Sequence, residues 1–415
     1  MDQETLAWLT DPDSGCWEEL GYQRFPLGEP ELVDTVPPVV DWDEVRDRYD
    51  AVVIGSGAGG GVAAHVLAAT GCSVLVVERG RALKSTEIGW DPVRNHRTAV
   101  FGFGEGVIPV GNPRAVKDGN GEQAVEPHDF RYHNNAVVLG GGPRLYGCQG
   151  WRFAPETFRM ASEYGVPDGS ALADWPITYV LAHGHVDTDE PLSDGIGPGL
   201  AMATREHCHH NDGIVGGGMI ADEYAVSPVQ HWVMGSWFRP QHQRAAEAAG
   251  DIDEYGRPTG ASARQALRDT YRRTIMIMGP IQEIPTHSAG LDLSAEVRDC
   301  WGLPVARFFG VQHEEDMHTA AFLGDRAKEW IAATGARDVT GGSMGFQILS
   351  GGQHQAGTAR MSDTPAGGAV DPSGKVWGCE RTYVADSSLH VTNGGVNPVL
   401  SIMANSWRVA DLLSR

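Results

Sequence analysis

The sequence predicts an α/β chain built from two unlike regions, and three observations carry that expectation. Residues 49–80, YDAVVIGSGAGGGVAAHVLAATGCSVLVVERG, run through an apolar strand, a glycine-rich turn, a helix and a second apolar strand. Beyond Tyr179 the pattern changes to mixed strands and helices with acidic, turn-rich connections. Near the C-terminus, TYVADSSLHVTNGGVNPVLSIMANSWRVADLL gives a short strand, a turn and an amphipathic helix.

Ala51 to Ile54 is a short apolar run rich in β-branched residues, which suits a buried strand. Gly55-x-Gly57-x-x-Gly60 follows at once. In such a unit the first glycine permits the tight turn and the second lets the backbone approach a pyrophosphate. The third lets helix and strand pack closely. Gly59 to Thr70 reads as a helix, with Gly71 closing it. The helix N-terminus offers free N–H groups and a positive dipole end to phosphates. Ser73 to Val77 reads as the second strand, and Glu78 ends it, 23 positions after Gly55. That is close to the spacing of roughly 20 expected for an acid that holds ribose hydroxyls. Such an acid repels a 2′-phosphate, so NADP is the poorest candidate. The fingerprint by itself does not separate FAD from NAD.

The 415 residues are enough for two or three domains. The chain is 41% hydrophobic, a core-forming composition, and its formal net charge of −22 disfavours nucleic acid and anionic membranes as partners. No run reaches the length of a transmembrane helix. The start, MDQETLAWLTDPDSG, lacks the basic and apolar regions of a secretion signal, so a cytoplasmic protein is expected. Cysteines at 16, 72, 148, 208, 300 and 379 form no CxxC pair, and free thiols, most of them buried, are expected.

Residues before Asp43 are acidic and proline-punctuated, and read as a small helix and an extended arm. Arg81 to Asp129 reads as one long irregular loop of the kind that forms lids or binding loops. Ala136 to Leu139 reads as a strand that runs into Gly140-Gly141-Gly142. Ile214 to Ile220 and Ala225 to Val233 read as mixed strands, and Ala261 to Met278 as a helix and then a strand. Val305 to Phe309 reads as a strand and Glu314 to Thr334 as a long amphipathic helix. Tyr383 to Ala385 is a short strand ending at Asp386, and Asn393 to Gly395 is a turn. Pro398 opens the last helix in its favoured early position, with Val399, Met403, Trp407, Ala410 and Leu413 as its buried stripe. The cluster EHCHHN, Glu206 to Asn211, offers thiol and imidazole ligands. Adjacent strand residues point to opposite faces, so an exposed or substrate-facing loop is the better reading and no metal is expected.

Four segments, in this order, resemble the glucose–methanol–choline (GMC) oxidoreductases, a family of FAD-dependent alcohol oxidases and dehydrogenases. They are the Gly55–Gly60 fingerprint with Glu78, VVLGGGPRLYG, His354-x-x-Gly357-Thr358-x-x-Met361, and VADSSLHVTNGGVNPVLSIMA. The resemblance is closest to bacterial members that act on sugars and other polyols. It implies a Rossmann-like FAD-binding domain with a parallel sheet and a substrate domain with an antiparallel sheet. The implied division is an arm over 1–43, the FAD domain over 44–180 and 366–415, and the substrate domain over 181–365. His354 corresponds to the active-site histidine, which takes the hydroxyl proton while hydride passes to flavin N5, and Asn397 to its partner across the pocket. The implied cofactor contacts are Gly55, Gly57, Ala58, Gly60, Glu78 and Arg79 in the first unit, and Gly141, Gly142, Tyr146 and Gly147 in the second. Asp386, Asn397 and Pro398 complete them near the last helix, whose N-terminus suits the negative charge of a reduced flavin. Ala359 stands where many relatives have cysteine and reads as a packing change. The electron acceptor stays open between oxygen, a quinone and a carrier protein.

Directly after ADWPITY the family continues into an extended insertion, whereas here Tyr179-Val180 runs straight into LAHGHVDTDEP. An internal deletion after Tyr179 is therefore expected, with a shorter omission within Val186 to Glu190. It implies a parallel sheet short of a strand, an open adenine half of the site, and a homodimer whose interface near Tyr179–His185 covers the truncated sheet. Two other readings stay open. One is a degenerate relative that binds FAD weakly or not at all and serves as a binding or assembly subunit. The other is an NAD-dependent dehydrogenase, against which the His354 and Asn397 motif argues.

Overall fold

The structure is a computed structural model. It describes residues 3–10, 14–21, 39–82, 111–119, 121–126, 137–144, 150–159, 179–192, 202–222, 228–233, 237–284, 290–310, 313–344, 354 and 356–415.

The N-terminal unit forms as its sequence dictates. Strand β1 (Ala51–Ile54) leads through the glycine turn into helix α3 (Ala58–Ala69) and back to β2 (Val74–Val77). The two strands pair in parallel, Ala51 beside Val74 through Ile54 beside Val77. Gly71, at φ 92°, ends the helix in the left-handed conformation that glycine adopts without strain. One face of this pair is packed, with Ala51 and Val74 against Ala63, Val66 and Leu67 of α3. The other is bare: Val52 is 56% and Ile54 87% exposed.

Two further sheets follow. One has the order β4 (Gly121–Val125), β3 (Arg114–Asp118), β10 (Pro304–Phe309), β9 (Gly290–Arg298), with β3 and β10 parallel and the other pairs antiparallel. The other is antiparallel throughout, in the order β11 (Arg337–Met344), β5 (Tyr179–His185), β8 (Thr274–Pro280), β7 (Ile220–Asp222), β6 (Ala203–Thr204). Val180 and Ala182 of β5 face the helix Glu314–Ala333 and bury Ala320, Leu323, Ala327 and Ile331. The alternation of a strand turns Tyr179, Leu181, His183 and His185 to the opposite face.

Helices α1 (Gln3–Thr10) and α2 (Cys16–Glu19) pack Leu9, Cys16 and Leu20 onto Trp232, Trp237, Leu267 and Tyr271. The later helices are α4 (Pro228–Val233), α5 (Pro240–Ala249), α6 (Gly260–Thr270), α7 (Glu314–Ala333) and α8 (Val399–Leu413). The C-terminal helix α8 lies against α3, burying Ala410 with Ala63, Val66 and Leu67. No helix among the described residues is long and apolar enough to cross a membrane.

Several sequence expectations are corrected. The segment 81–129 is not one irregular loop, because β3 and β4 form a hairpin inside it. The turn DGNG between RAVK and EQAV was its signal. Pro228–Val233 is a helix rather than a strand, with Pro228 at its first position. Residues 137–139 and 383–385 make isolated bridges only, Val138 to Arg81 and Tyr383 to Lys375. The stripe expected on α8 is rotated: Met403 is 40% and Trp407 53% exposed, while Ser406, Val409 and Ala410 are buried. The small Ser406 is preferred at the contact because its hydroxyl donates to the Gly59 carbonyl at 2.6 Å, drawing the two helices together. Of the five described cysteines, all free thiols, only Cys16 and Cys208 are buried; Cys148 lies outside the described residues. Tyr179–His185 is no exposed edge, since β5 is paired on one side with β11 and on the other with β8. The bare surface lies on β1 instead.

Candidate active site

Three distant segments converge on the Gly55–Gly60 turn. The hydroxyl of Ser56 donates to Glu78 Oε2 at 2.6 Å and accepts the Gly140 N–H at 2.8 Å. This one side chain therefore ties the fingerprint turn to the second glycine run. A Cβ on Gly141 would come within 2.9 Å of the Gly57 Cα, and one on Gly59 would overlap the Ala385 carbonyl oxygen. The backbones meet too closely there for any side chain. By contrast, a Cβ on Gly55, Gly57 or Gly142 would meet no atom within 4 Å. These three glycines line open space, and α3 begins there at Ala58 with no side chain capping its N–H groups. A nucleotide pyrophosphate fits such a cradle.

Glu78 also accepts the Ser56 N–H at 2.9 Å and the Gly80 N–H at 2.7 Å. Burial pushes its carboxyl up, but the hydrogen bonds from Ser56 and Gly80 outweigh it and hold Glu78 below the usual carboxylate range. It is an anion, with acceptor capacity left on Oε1 for a ribose hydroxyl. Arg79 is exposed, with its Nη1 3.5 Å from Asn112 Oδ1. Asp386 is exposed and caps the 3₁₀ turn Ser387–Leu389, accepting the Ser388 N–H at 2.9 Å. Tyr146 and Gly147 lie outside the described residues.

The second focus is His354 with Asn397. The turn before Asn397 is fixed by a reciprocal pair: Asn393 accepts the Glu283 N–H at 3.2 Å and donates to the Glu283 carboxylate at 2.8 Å. Gly395 then accepts the Met219 N–H at 3.0 Å, and Asn397 accepts the Trp151 N–H at 3.1 Å, both through backbone carbonyls. Pro398 follows and α8 begins at Val399. On the other side, Ala359 and Met361 donate backbone N–H groups to Ser388 and Leu389, at 3.0 and 3.1 Å. Ala359 packs beside Val370, Leu389 and Val409, in keeping with a packing role. This strap holds His354, whose φ of 67° is left-handed, a conformation that non-glycine residues keep only under outside constraint.

Asn397 Nδ2 lies 3.1 Å from His354 Nε2, and Tyr179 Oη lies 3.2 Å from His354 Nδ1. Asn397 Oδ1 is buried without a partner, as is the indole N–H of Trp151. Burial lowers the His354 imidazole to about 3, so it is neutral at ordinary pH. A neutral imidazole beside an amide with a spare acceptor is equipped to receive a hydroxyl group and take its proton.

Sequence reasoning missed Ser56 and Tyr179. Ser56 had a signal, its place inside the glycine fingerprint. Tyr179 had none, because 175 positions separate it from His354. The histidine cluster spreads apart: His209 bonds Thr157 at 3.0 Å, while His207 packs edge-on against Phe322. Among the described residues no group of three or more His, Cys, Asp or Glu side chains could hold a metal ion.

Residues 285–406, which contain His354, Asn397 and Pro398, match the family model described as GMC oxidoreductase. The chain belongs to the GMC oxidoreductase family. Members of this GMC group act on CH–OH groups with FAD as cofactor, and both oxidases and dehydrogenases occur among the relatives. The chain is 26% identical over 271 residues to the 2-methyl-1,2-propanediol dehydrogenase of Mycolicibacterium austroafricanum, covering 63% of this chain and 46% of that protein. It is 31% identical over 119 residues to the paromamine 6'-oxidase of Streptomyces fradiae, covering 28% of this chain and 22% of that protein. It thus spans less than half the length of these relatives. The crystal structure of pyridoxine 4-oxidase from Mesorbium loti superposes with a TM-score of 0.45 at 14% identity, over 88% of this chain and 99% of that one.

Proposed function

We propose that this GMC chain binds FAD and oxidises a hydroxyl group on a sugar- or polyol-like substrate. The observation that carries this reading is the buried His354–Asn397 pair, held on the same chain as an intact nucleotide cradle. The diol named in the propanediol dehydrogenase supports the substrate class.

The backbone of Gly55, Gly57 and Gly60 and the start of α3 at Ala58 hold the pyrophosphate, with Glu78 on the ribose and Arg79 at the mouth. Gly141 and Gly142, with Tyr146, Gly147, Asp386 and Pro398, complete the FAD contacts. Bound FAD supplies the acceptor for the hydride that leaves the carbinol carbon. The substrate hydroxyl replaces Asn397 at His354 Nε2, and its proton passes to that atom. The Asn397 amide, once released, donates to the substrate oxygen and orients it. The division into an FAD domain over 44–180 and 366–415 and a substrate domain over 181–365 belongs to the same reading.

Free thiols throughout the described cysteines and an acidic surface support a cytoplasmic site of action. The bare β1 face supports a homodimer, since parallel sheets are normally covered on both faces. That same face favours a second reading, a GMC relative that holds FAD weakly and serves as a binding subunit. Anaerobic mixing of the FAD-loaded protein with a panel of sugars and polyols separates the two. Bleaching of the flavin by at least one polyol is expected, and a flavin unaffected by all of them would favour the second reading.

A further inference from the structure

We propose that Tyr179 is a positioning residue that fixes the tautomer of His354, leaving Nε2 as the atom that accepts the substrate proton. This rests on the reading of His354 as the base.

The argument is one of hydrogen-bond inventory. A side-chain amide nitrogen carries two donors and no acceptor. Asn397 Nδ2, 3.1 Å from His354 Nε2, therefore donates, and Nε2 must be the unprotonated nitrogen. A neutral imidazole carries one proton, so it sits on Nδ1. Nδ1 faces Tyr179 Oη at 3.2 Å, and the phenol oxygen accepts that N–H. The ring is gripped at both ends, and each grip requires the same tautomer. Burial adds weight, because an imidazole N–H left without an acceptor in this site would cost the full desolvation of that group.

The fold supplies the grip from a rigid element. Tyr179 opens β5, whose backbone is paired from Tyr179 to Met344 on one side and from Tyr179 to Pro280 on the other. Its phenol is therefore anchored by two strands, and its ring packs tilted against the imidazole at 5.9 Å. His354 itself sits in a strained turn with φ 67° and needs such support. When His354 takes a proton at Nε2, the Nδ1–H bond to Tyr179 strengthens, because donors on a charged ring bond more strongly than donors on a neutral one.

The test is long-range ¹H–¹⁵N correlation of the imidazole in protein labelled with ¹⁵N-histidine and free of flavin, with His354→Gln identifying the His354 signals. The wild type is expected to show the Nδ1–H tautomer. Tyr179→Phe, which keeps the ring and removes only the hydroxyl, is expected to shift His354 to the Nε2–H form or a mixture. In FAD-loaded protein the same change is expected to slow flavin reduction by roughly 10- to 100-fold, the worth of one hydrogen bond to a charged group, with little change in KM. A wild-type Nε2–H tautomer overturns the proposal, as does an unchanged tautomer in Tyr179→Phe or an unchanged reduction rate. The tautomer is read without flavin or substrate, so it decides the role of Tyr179 even if the protein proves unable to oxidise alcohols.

Discussion

His354 and Asn397 meet side chain to side chain, Nε2 to Nδ2 at 3.1 Å, across 43 positions of sequence. The two ends of this contact are built independently, one by the strap over 357–361 and one by the Asn393–Glu283 pair. A base and an orienting amide are what alcohol oxidation requires, and they should separate in mutants. His354→Ala is expected to keep flavin bound but to slow its reduction by substrate by roughly 10²–10⁴-fold, the usual worth of a positioned proton-transfer group. Asn397→Ala should cost less, since the amide orients the oxygen but cannot take the proton. Stopped-flow reduction of the two variants gives the comparison.

The glycine cradle yields a paired prediction. Gly59→Ala drives a methyl into the Ala385 carbonyl oxygen, which is backbone and cannot swing aside. It should destabilise the fold by about 1–3 kcal/mol, as overpacking does. Gly57→Ala meets no protein atom and has an allowed φ of −65°. The apoprotein should unfold within about 1 kcal/mol of wild type, while FAD binding weakens roughly tenfold or more because the methyl occupies the pyrophosphate path. Denaturant unfolding and FAD titration of both variants check this.

Five buried histidines set the acid limit of stability. Burial lowers His183 and His390 to about 4, and His185, His231 and His354 to about 3, from the usual 6.5. Between those values the unfolded chain binds protons that the folded chain does not, so stability rises with pH there. It is complete above about 6.5 and is lost as pH falls toward 4. The slope is roughly 1.4 kcal/mol per pH unit for each histidine. Buried Asp316 works the other way: burial raises it to about 7, so its share is lost as pH climbs from about 4 to 7. The histidines outnumber it, and Tm measured from pH 7 to pH 5 should fall steeply. A flat profile would show that these rings are not buried as neutral groups.

The bare strand face predicts an assembly. Ile54→Lys places a charge at a site 87% exposed in the single chain, so it should leave the monomer fold intact while abolishing a dimer seen by sedimentation. A wild type that sediments as a monomer would remove the support for that surface as an interface.

The parts written locally were legible in the sequence. The strand–turn–helix–strand unit appears within a residue of its expected bounds because its apolar period, glycines and terminal acid lie within one short stretch. Helix Glu314–Ala333 was legible for the same reason. The β3–β4 hairpin was not, since its strands are short and charged and owe their place to β10, far along the chain. The face of α8 was misread because a serine hydroxyl bonded to a carbonyl, and not bulk apolar area, decides which side meets α3. In the site, His354 and Asn397 could be read from their motifs, whereas Tyr179 and Ser56 act through geometry that only the folded chain supplies.

The central claim is that this chain holds FAD in the cradle of Gly55, Gly57, Gly60 and Glu78. The absorption spectrum of the purified protein, taken before and after denaturation, tests it most directly. The account predicts a yellow protein with a flavin spectrum, and release of FAD on unfolding. A colourless protein that also fails to take up added FAD would contradict it.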